Sequence, residues 1–215
     1  MYICIEGVIG VGKTTLARLL QPAFQSELLL EVFEENPFLS DFYADRERYA
    51  FQTQIFFLLS RYSQQRRALA AHSASSPNLI ADYTFEKDAL FARINLHGDE
   101  LVMYQRVHEA LAEKIIIPDL LVYLRADTDV LMQRIAMRDR PYERNMQRAY
   151  IGELNQAYDA FFADPHARRS PVLTIDTNNL DFVRRSDDLD LVENRIRQAL
   201  KLPPYQVELP LELVG

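Results

Sequence analysis

Three of the chain's six glycines, Gly7, Gly10 and Gly12, fall inside one short window. They belong to the run Gly7-Val8-Ile9-Gly10-Val11-Gly12-Lys13-Thr14, followed by Thr15, which matches G-x-x-x-x-G-K-[ST]. Such a loop cradles phosphates. Its glycines let the backbone turn tightly and aim successive N–H groups at phosphate oxygens. The helix that follows presents the positive end of its dipole. Lys13 is expected at the β- and γ-phosphates, and the Thr14 hydroxyl on Mg²⁺. The spelling implies a bound nucleoside triphosphate.

A phosphate loop alone does not say where the phosphoryl group goes. Asp82 closes a short apolar stretch, where a parallel-sheet enzyme puts its metal-holding acid. Glu31 stands at the corresponding end of the second expected strand, with Glu34 and Glu35 beyond it read as solvated. Two carboxylates around one phosphate site suit two tasks: one holds metal, and one takes the proton of an acceptor hydroxyl. Arg134, Arg138 and Arg140, with Arg144 beyond, form a third group. Arg134 and Arg138 share a helical face at i, i+4, and Asp139 sits between two cations. Pro141 interrupts the helix just after Arg140. Arginines at a junction between helices suit a closing lid, over about residues 134–146, that neutralises the transferring group.

A parallel sheet is needed to bring these residues together. The β-forming apolar run 1–6 ends at Gly7 and reads as a buried first strand. A helix is expected over 13–20, with Pro22 as its stop. Further strands are expected over 28–33, 79–81, 120–124 and 172–175. A long helix free of Gly and Pro runs from Arg46 to about Ala71. Its stretch Ile55-Phe56-Phe57-Leu58-Leu59 is apolar around most of the circumference, which predicts burial on two sides. Helices are expected over 103–114, 129–138, 146–162 and 189–200, and a polar loop over 73–78. Strands alternating with helices imply an α/β fold with a five-stranded parallel sheet flanked by helices. One domain is expected over 1–201, with a tail over 202–215.

Composition removes several classes of function. At 215 residues, 48% hydrophobic and 26% charged, the chain is an ordinary globular one rather than an extended disordered one. No apolar run approaches the ~18 residues of a membrane span, and the N-terminus lacks a basic leader. A formal charge of −7 argues against a nucleic-acid partner. Cys4 stands alone, so a reducing cytoplasm is expected.

The ordered set of motifs resembles the deoxynucleoside kinase family, and within it the bacterial deoxyadenosine/deoxyguanosine kinase-like branch. The resemblance runs from Ile5 to about Phe182. It is carried by Ile5-Glu6-Gly7 to Lys13-Thr14-Thr15, Glu31-Val32-Phe33 to Asn36-Pro37-Phe38-Leu39, Phe42-Tyr43, Arg48 to Gln54, and Arg61. It continues with Asp82-Tyr83-Thr84 to Phe91-Ala92, and Arg134 through Arg138-Asp139-Arg140 to Glu143. The resemblance implies a P-loop kinase fold with a helical arginine-rich lid. It also implies transfer of the ATP γ-phosphoryl to the 5′-hydroxyl of a deoxynucleoside, with Mg²⁺, in a homodimer. By position, Glu31 resembles the carboxylate that accepts the 5′-hydroxyl proton, and Tyr43 with Glu143 the pair that binds the 3′-hydroxyl. Gln54 resembles the amide that reads the base edge, and Arg61 lies about two turns along the same helix face. Asp88 resembles the carboxylate partner of Arg61; a one-residue spacing difference before Phe91-Ala92 leaves Lys87 or Glu86 open for that position. Asp181-Phe182 resembles the loop that packs against the ATP adenine. One departure stands out: the family's acid-Arg-Ser triplet reads Asp82-Tyr83-Thr84, so residue 83 brings no cation.

Two other readings share the phosphate loop. A nucleoside monophosphate kinase takes an anionic acceptor, which Glu31 would repel. A non-catalytic or regulatory member would be expected to lack Lys13, Asp82 or the lid arginines, or to hydrolyse ATP without any nucleoside. The polar, two-signed set Gln54, Arg61 and Asp88 favours a purine deoxynucleoside.

Overall fold

The computed structural model describes residues 1–75, 78–164 and 169–203, with the backbone alone over 69–75. Five strands, β1 (Tyr2–Glu6), β2 (Glu27–Leu29), β3 (Leu79–Ala81), β4 (Leu120–Arg125) and β5 (Val172–Asp176), pair in parallel in the order β2-β3-β1-β4-β5. Cys4 lies opposite Ala81 on one side and Leu121 on the other. Every residue of β1 and the first five of β4 are buried, as expected for parallel strands covered by helices on both faces. Strand order reverses at β1, which opens a crevice beyond the carboxyl ends of β1 and β3.

The helices are α1 (Lys13–Phe24), α2 (Leu39–Ala44), α3 (Arg46–Ser75), α4 (Glu86–Asn95), α5 (Gly98–Ala112), α6 (Thr128–Arg138), α7 (Arg148–Ala163) and α8 (Ser186–Ala199). None of them is long and apolar enough to cross a membrane. The expected α/β architecture with five parallel strands is the observed one.

Several boundaries differ for identifiable reasons. α1 does not stop at Pro22 but carries it inside the last turn and ends at Phe24. Leu16, Ala17, Leu20 and Phe24 form one buried stripe, and burial of Phe24 offsets the hydrogen bond that proline removes. β2 is three residues long rather than six, so Glu31 lies in the loop beyond it. Neither α2 nor α4 was expected. α2 is only six residues long and follows Pro37, while α4 buries Lys87 and Asp88 with Leu90 and Ala92, which hides any apolar stripe. α5 begins at Gly98 and ends at Ala112, where residues 103–114 were expected. α3 reaches Ser75 rather than Ala71, so the loop expected over 73–78 is shorter. Among the described residues its apolar stretch is not covered on two sides: Leu58 is buried, but Leu59 is 48% exposed. The tail expected over 202–215 lies outside the described residues from 204 onward.

Candidate active site

The phosphate loop, residues 7–14, joins β1 to α1 at the crevice. Gly10 has φ +89°, and a Cβ there would stand 2.7 Å from Ile135 Cγ1 and 3.0 Å from the Leu131 carbonyl oxygen. Only glycine fits the backbone between this loop and α6. Gly12 packs its Cα against the buried ring of Phe182. The Glu6 carboxylate, buried at the end of β1, accepts the Gly7 N–H at 2.9 Å, the Thr84 N–H at 2.9 Å and the Tyr158 hydroxyl at 3.1 Å. This fastens the loop to β3 and α7. Lys13 Nζ donates to the carbonyls of Gly7 at 2.6 Å and Val8 at 3.2 Å. Burial, together with the charge of Lys87, brings its pKa down to about 8 against the pull of Glu6, Glu31 and Asp82.

From this loop a line of contacts runs to the carboxylates. Thr14 Oγ1 donates to Asp82 Oδ2, and the Glu31 N–H donates to Asp82 Oδ1 at 2.8 Å. Asp82 follows β3 directly, as its expected place at a strand end requires. Burial raises its pKa, while the Thr14 hydroxyl and the Glu31 amide oppose that rise. Arg61 Nε lies 3.0 Å from Glu31 Oε1, and Lys87 Nζ lies 2.7 Å from Glu31 Oε2. Burial acts to raise the Glu31 pKa, but the charges of Arg61 and Lys87 outweigh it and hold the carboxyl well below the usual carboxylate range. Arg61 also pairs through Nη1 with Asp88, which is fully buried. Asp88 is therefore the carboxylate partner of Arg61, and neither Glu86 nor Lys87 takes that position.

The remaining wall comes from α2, α3 and the segment after α6. Tyr43 stacks on Tyr142 with ring centroids 6.0 Å apart, and burial pushes its hydroxyl well above the ordinary tyrosine range. Arg138 holds Glu143 through two hydrogen bonds, Nε to Oε2 at 2.7 Å and Nη2 to Oε1 at 2.5 Å. Arg140 lies 3.8 Å from the same carboxylate and 4.1 Å over the Phe33 ring. Gln54 and Thr53 are buried, and Gln54 Oε1 and Thr53 Oγ1 find no partner among the described residues. Together these groups form a cleft open to solvent, lined among others by Lys13, Thr14, Glu31, Tyr43, Gln54, Arg61, Asp82, Lys87, Arg138, Arg140 and Glu143.

Some expected site residues do not line the cleft. Arg134 gives its guanidinium to backbone: Nη1 donates to the Val11 carbonyl at 3.3 Å, and Nη2 to the Thr177 carbonyl at 2.6 Å. It ties the phosphate loop to the exit of β5 and lies outside the cleft lining. The reason is its place, four residues before the end of α6 and over the loop rather than beyond it. Asp139 pairs with Arg144 at the exposed surface rather than bridging two site cations. Asp181 accepts the N–H groups of Val183 and Arg184, while Phe182 packs against Gly12 behind the loop. Tyr83 is fully buried and donates to Gln64 Oε1 at 3.2 Å.

Sequence reasoning missed Lys87 as a site cation and Glu6 as an anchor. Both lie within stretches that carry the family resemblance, Ile5-Glu6-Gly7 and Asp82 to Ala92, but residue type alone does not say that Glu6 turns back on the loop or that Lys87 reaches Glu31.

Known proteins are similar to this chain in sequence and in fold. Residues 3–201 match the family described as deoxynucleoside kinase. A deoxyguanosine kinase of Bacillus subtilis (strain 168) is 31% identical over 204 residues, covering 93% of this chain and 97% of the relative. A deoxyadenosine/deoxycytidine kinase of the same organism is 27% identical over 208 residues, covering 92% of each. The solved structure of deoxyadenosine kinase from M. mycoides with bound dCTP superposes with a TM-score of 0.79 at 25% identity, covering 92% of this chain and all of that one. With bound dATP the same kinase gives a TM-score of 0.80. A loop with the phosphate-binding spelling, an aspartate hydrogen-bonded to its Thr14, and these matches along nearly the whole chain lead to one assignment: the chain belongs to the deoxynucleoside kinase family, phosphotransferases with an alcohol acceptor built on the P-loop kinase fold.

Proposed function

We propose that the protein transfers the γ-phosphoryl group of ATP to the 5′-hydroxyl of a purine deoxynucleoside, as a cytoplasmic salvage enzyme. The observation that carries this reading is the line of contacts from Thr14 through Asp82 to Glu31. It sets a hydroxyl-activating carboxylate next to a phosphate loop. Glu31 takes the 5′-hydroxyl proton late in the transfer, when the oxygen has become acidic. Such a transfer asks little covalent work of the protein, so positioning and charge neutralisation dominate. Lys13, Arg138 and Arg140 supply the charge, and the loop amides of residues 7–15 hold the donor phosphates. Tyr43 and Glu143 bind the 3′-hydroxyl. The loop carrying Asp181 and Phe182 borders Gly12 and faces the donor's adenine.

The residues present suit Mg²⁺. Thr14 and Asp82 offer hard oxygen donors in mutual contact, and no cluster of three or more His, Cys, Asp or Glu is placed to hold a metal among the described residues. That matches an ion bound mainly by substrate phosphates and water. When bound, the ion neutralises phosphate charge.

Gln54, Arg61 and Asp88 read the base. The orphan acceptor Gln54 Oε1 and the hydroxyl of Thr53 favour a base that brings its own donors, since leaving buried polar groups unpaired costs affinity. One domain over residues 1–201 carries the whole site. A homodimer is supported by the uncovered outer face of α3, where Leu59 is exposed, and by Val102 and Met103 on the adjoining α5.

The test compares acceptors with ATP and Mg²⁺ in one assay. Deoxyguanosine and deoxyadenosine should turn over with far higher kcat/KM than their 5′-monophosphates. Preferential phosphorylation of the monophosphates, or exclusive use of thymidine, would overturn the reading.

A further inference from the structure

We propose that Lys87 is a further catalytic residue: a mobile cation that leaves Glu31 to hold the phosphoryl group as it arrives on the 5′-oxygen. The proposal rests on the deoxynucleoside kinase reading above. It starts from the cost of the residue's position. Lys87 sits in the first turn of α4 and is only 6% exposed. A cation there opposes the positive end of the helix dipole, and burying an ammonium loses its hydration. Local rules broken without a packing gain mark functional positions.

Its neighbours say what the charge is for. Nζ lies 2.7 Å from Glu31 Oε2, the oxygen that Arg61 leaves free, and Lys87 lines the same cleft as Lys13, Thr14 and Asp82. Its charge also helps to depress the pKa of Lys13, which puts the two ammonium groups within electrostatic reach of each other.

The other cations of the cleft are more firmly committed. Arg61 spans Glu31 and Asp88, Arg138 is bound to both oxygens of Glu143, and Arg140 lies over Phe33. Lys87 makes its hydrogen bond to Glu31 with one of three ammonium donors. It rides on a flexible four-carbon stem beside the Phe91 ring, 5.6 Å from Nζ. It is the cation best able to change partner.

The reaction supplies the reason to change. The 5′-oxygen forms a bond to the γ-phosphorus. The bond from that phosphorus to the β-phosphate's bridging oxygen breaks, and its electron pair leaves with ADP. The hydroxyl proton goes to Glu31. Lys87's partner thus becomes neutral as a doubly charged phosphate monoester forms beside it. The ammonium then follows the charge from the carboxyl to the new phosphate oxygens.

The experiment measures binding of deoxyguanosine, deoxyadenosine and their 5′-monophosphates by calorimetry, without ATP, alongside steady-state kinetics. Wild type is compared with Lys87→Met and Lys87→Arg. In Lys87→Met, monophosphate affinity should fall roughly 10- to 100-fold, the worth of one charge-assisted hydrogen bond. Nucleoside affinity should stay within about twofold of wild type, with kcat reduced and nucleoside KM little changed. Lys87→Arg should recover much of the monophosphate affinity. It also serves as the second variant if Lys87→Met does not fold. Equal weakening of nucleoside and monophosphate in Lys87→Met, or no recovery in a folded Lys87→Arg, would reduce Lys87 to a positioning residue for Glu31 and overturn the proposal. A wild-type protein that binds no deoxynucleoside at all would instead overturn the kinase reading, and this proposal with it.

Discussion

Glu31 holds two guanidinium donors on one oxygen and an ammonium on the other, and its backbone is tied to Asp82. A side chain fixed so firmly can meet a substrate hydroxyl in one geometry. Glu31→Gln keeps the shape but removes charge and basicity. Its kcat should fall by roughly 10²–10⁴, the usual contribution of a positioned base, while nucleotide binding persists in a fluorescence titration. Glu34 is exposed, and Glu34→Gln in the same assay should stay near wild type. An inactive Glu34→Gln beside an active Glu31→Gln would move the base to the other residue. The phosphate loop was legible because its chemistry is spelled by adjacent residues. Asp88 was separated from its alternatives only by the fold, which turns it under Arg61 while Lys87, its neighbour in sequence, turns toward Glu31. One residue of helix phase decides between the two, and no local pattern in α4 reports that phase.

At the scale of elements, α3 and the end of α6 decide what each charge can do. α3 buries Thr53, Gln54, Arg61 and Gln65, and Thr53, Gln54 and Arg61 meet the cleft beside Phe57. The resemblance pointed to Gln54 and Arg61, whereas the apolar stretch around Phe57 gave no sign of Thr53. The arginines after Leu131 looked like one cluster, yet α6 separates them: Arg134 braces the phosphate loop, and Arg138 reaches Glu143. Arg134→Met should therefore act as a stability lesion. It removes the guanidinium's hydrogen bonds to the Val11 carbonyl and to the Thr177 carbonyl and hydroxyl, and should cost about 1–3 kcal/mol in urea denaturation. A wild-type urea midpoint with lost turnover would return Arg134 to the lid. α5 carries a second testable feature. His108 stacks on Phe85 at 4.6 Å, and its Nε2 is buried without a partner. Burial lowers its pKa; the Phe85 backbone, Glu86 and Glu109 oppose that, and Arg93 adds to it. The unfolded chain protonates His108 near its ordinary pKa of ~6.5, and the folded chain takes up that proton less readily. Stability should therefore fall as pH drops below that value. The urea midpoint of His108→Phe should decline less steeply between pH 7 and 5 than that of wild type, and parallel slopes would contradict the assignment.

For the molecule as a whole, the parallel sheet follows from short apolar strands alternating with helices, which is why the architecture was legible from the sequence, whereas the strand order β2-β3-β1-β4-β5 was not. The uncovered face was legible only in part. Residues 55–59 announced more apolar surface than one core contact needs, and no described residue covers Leu59 fully. Leu59, 48% exposed, with Val102, 45%, and Met103, 57%, leaves apolar side chains on the outer surface of α3 and α5. A second copy is the proposed cover. Leu59→Arg should convert a dimer into a monomer in sedimentation at micromolar concentration, and a wild type already monomeric there would contradict the dimer. The central claim, that a phosphate loop here serves a hydroxyl acceptor, is tested most directly by product identity. Purified protein is incubated with ATP, Mg²⁺ and either deoxyguanosine or deoxyadenosine, and the products are followed by phosphorus NMR. The account predicts one deoxynucleoside 5′-monophosphate formed for every ADP. ADP accompanied by inorganic phosphate, with the nucleoside recovered unchanged, would contradict it.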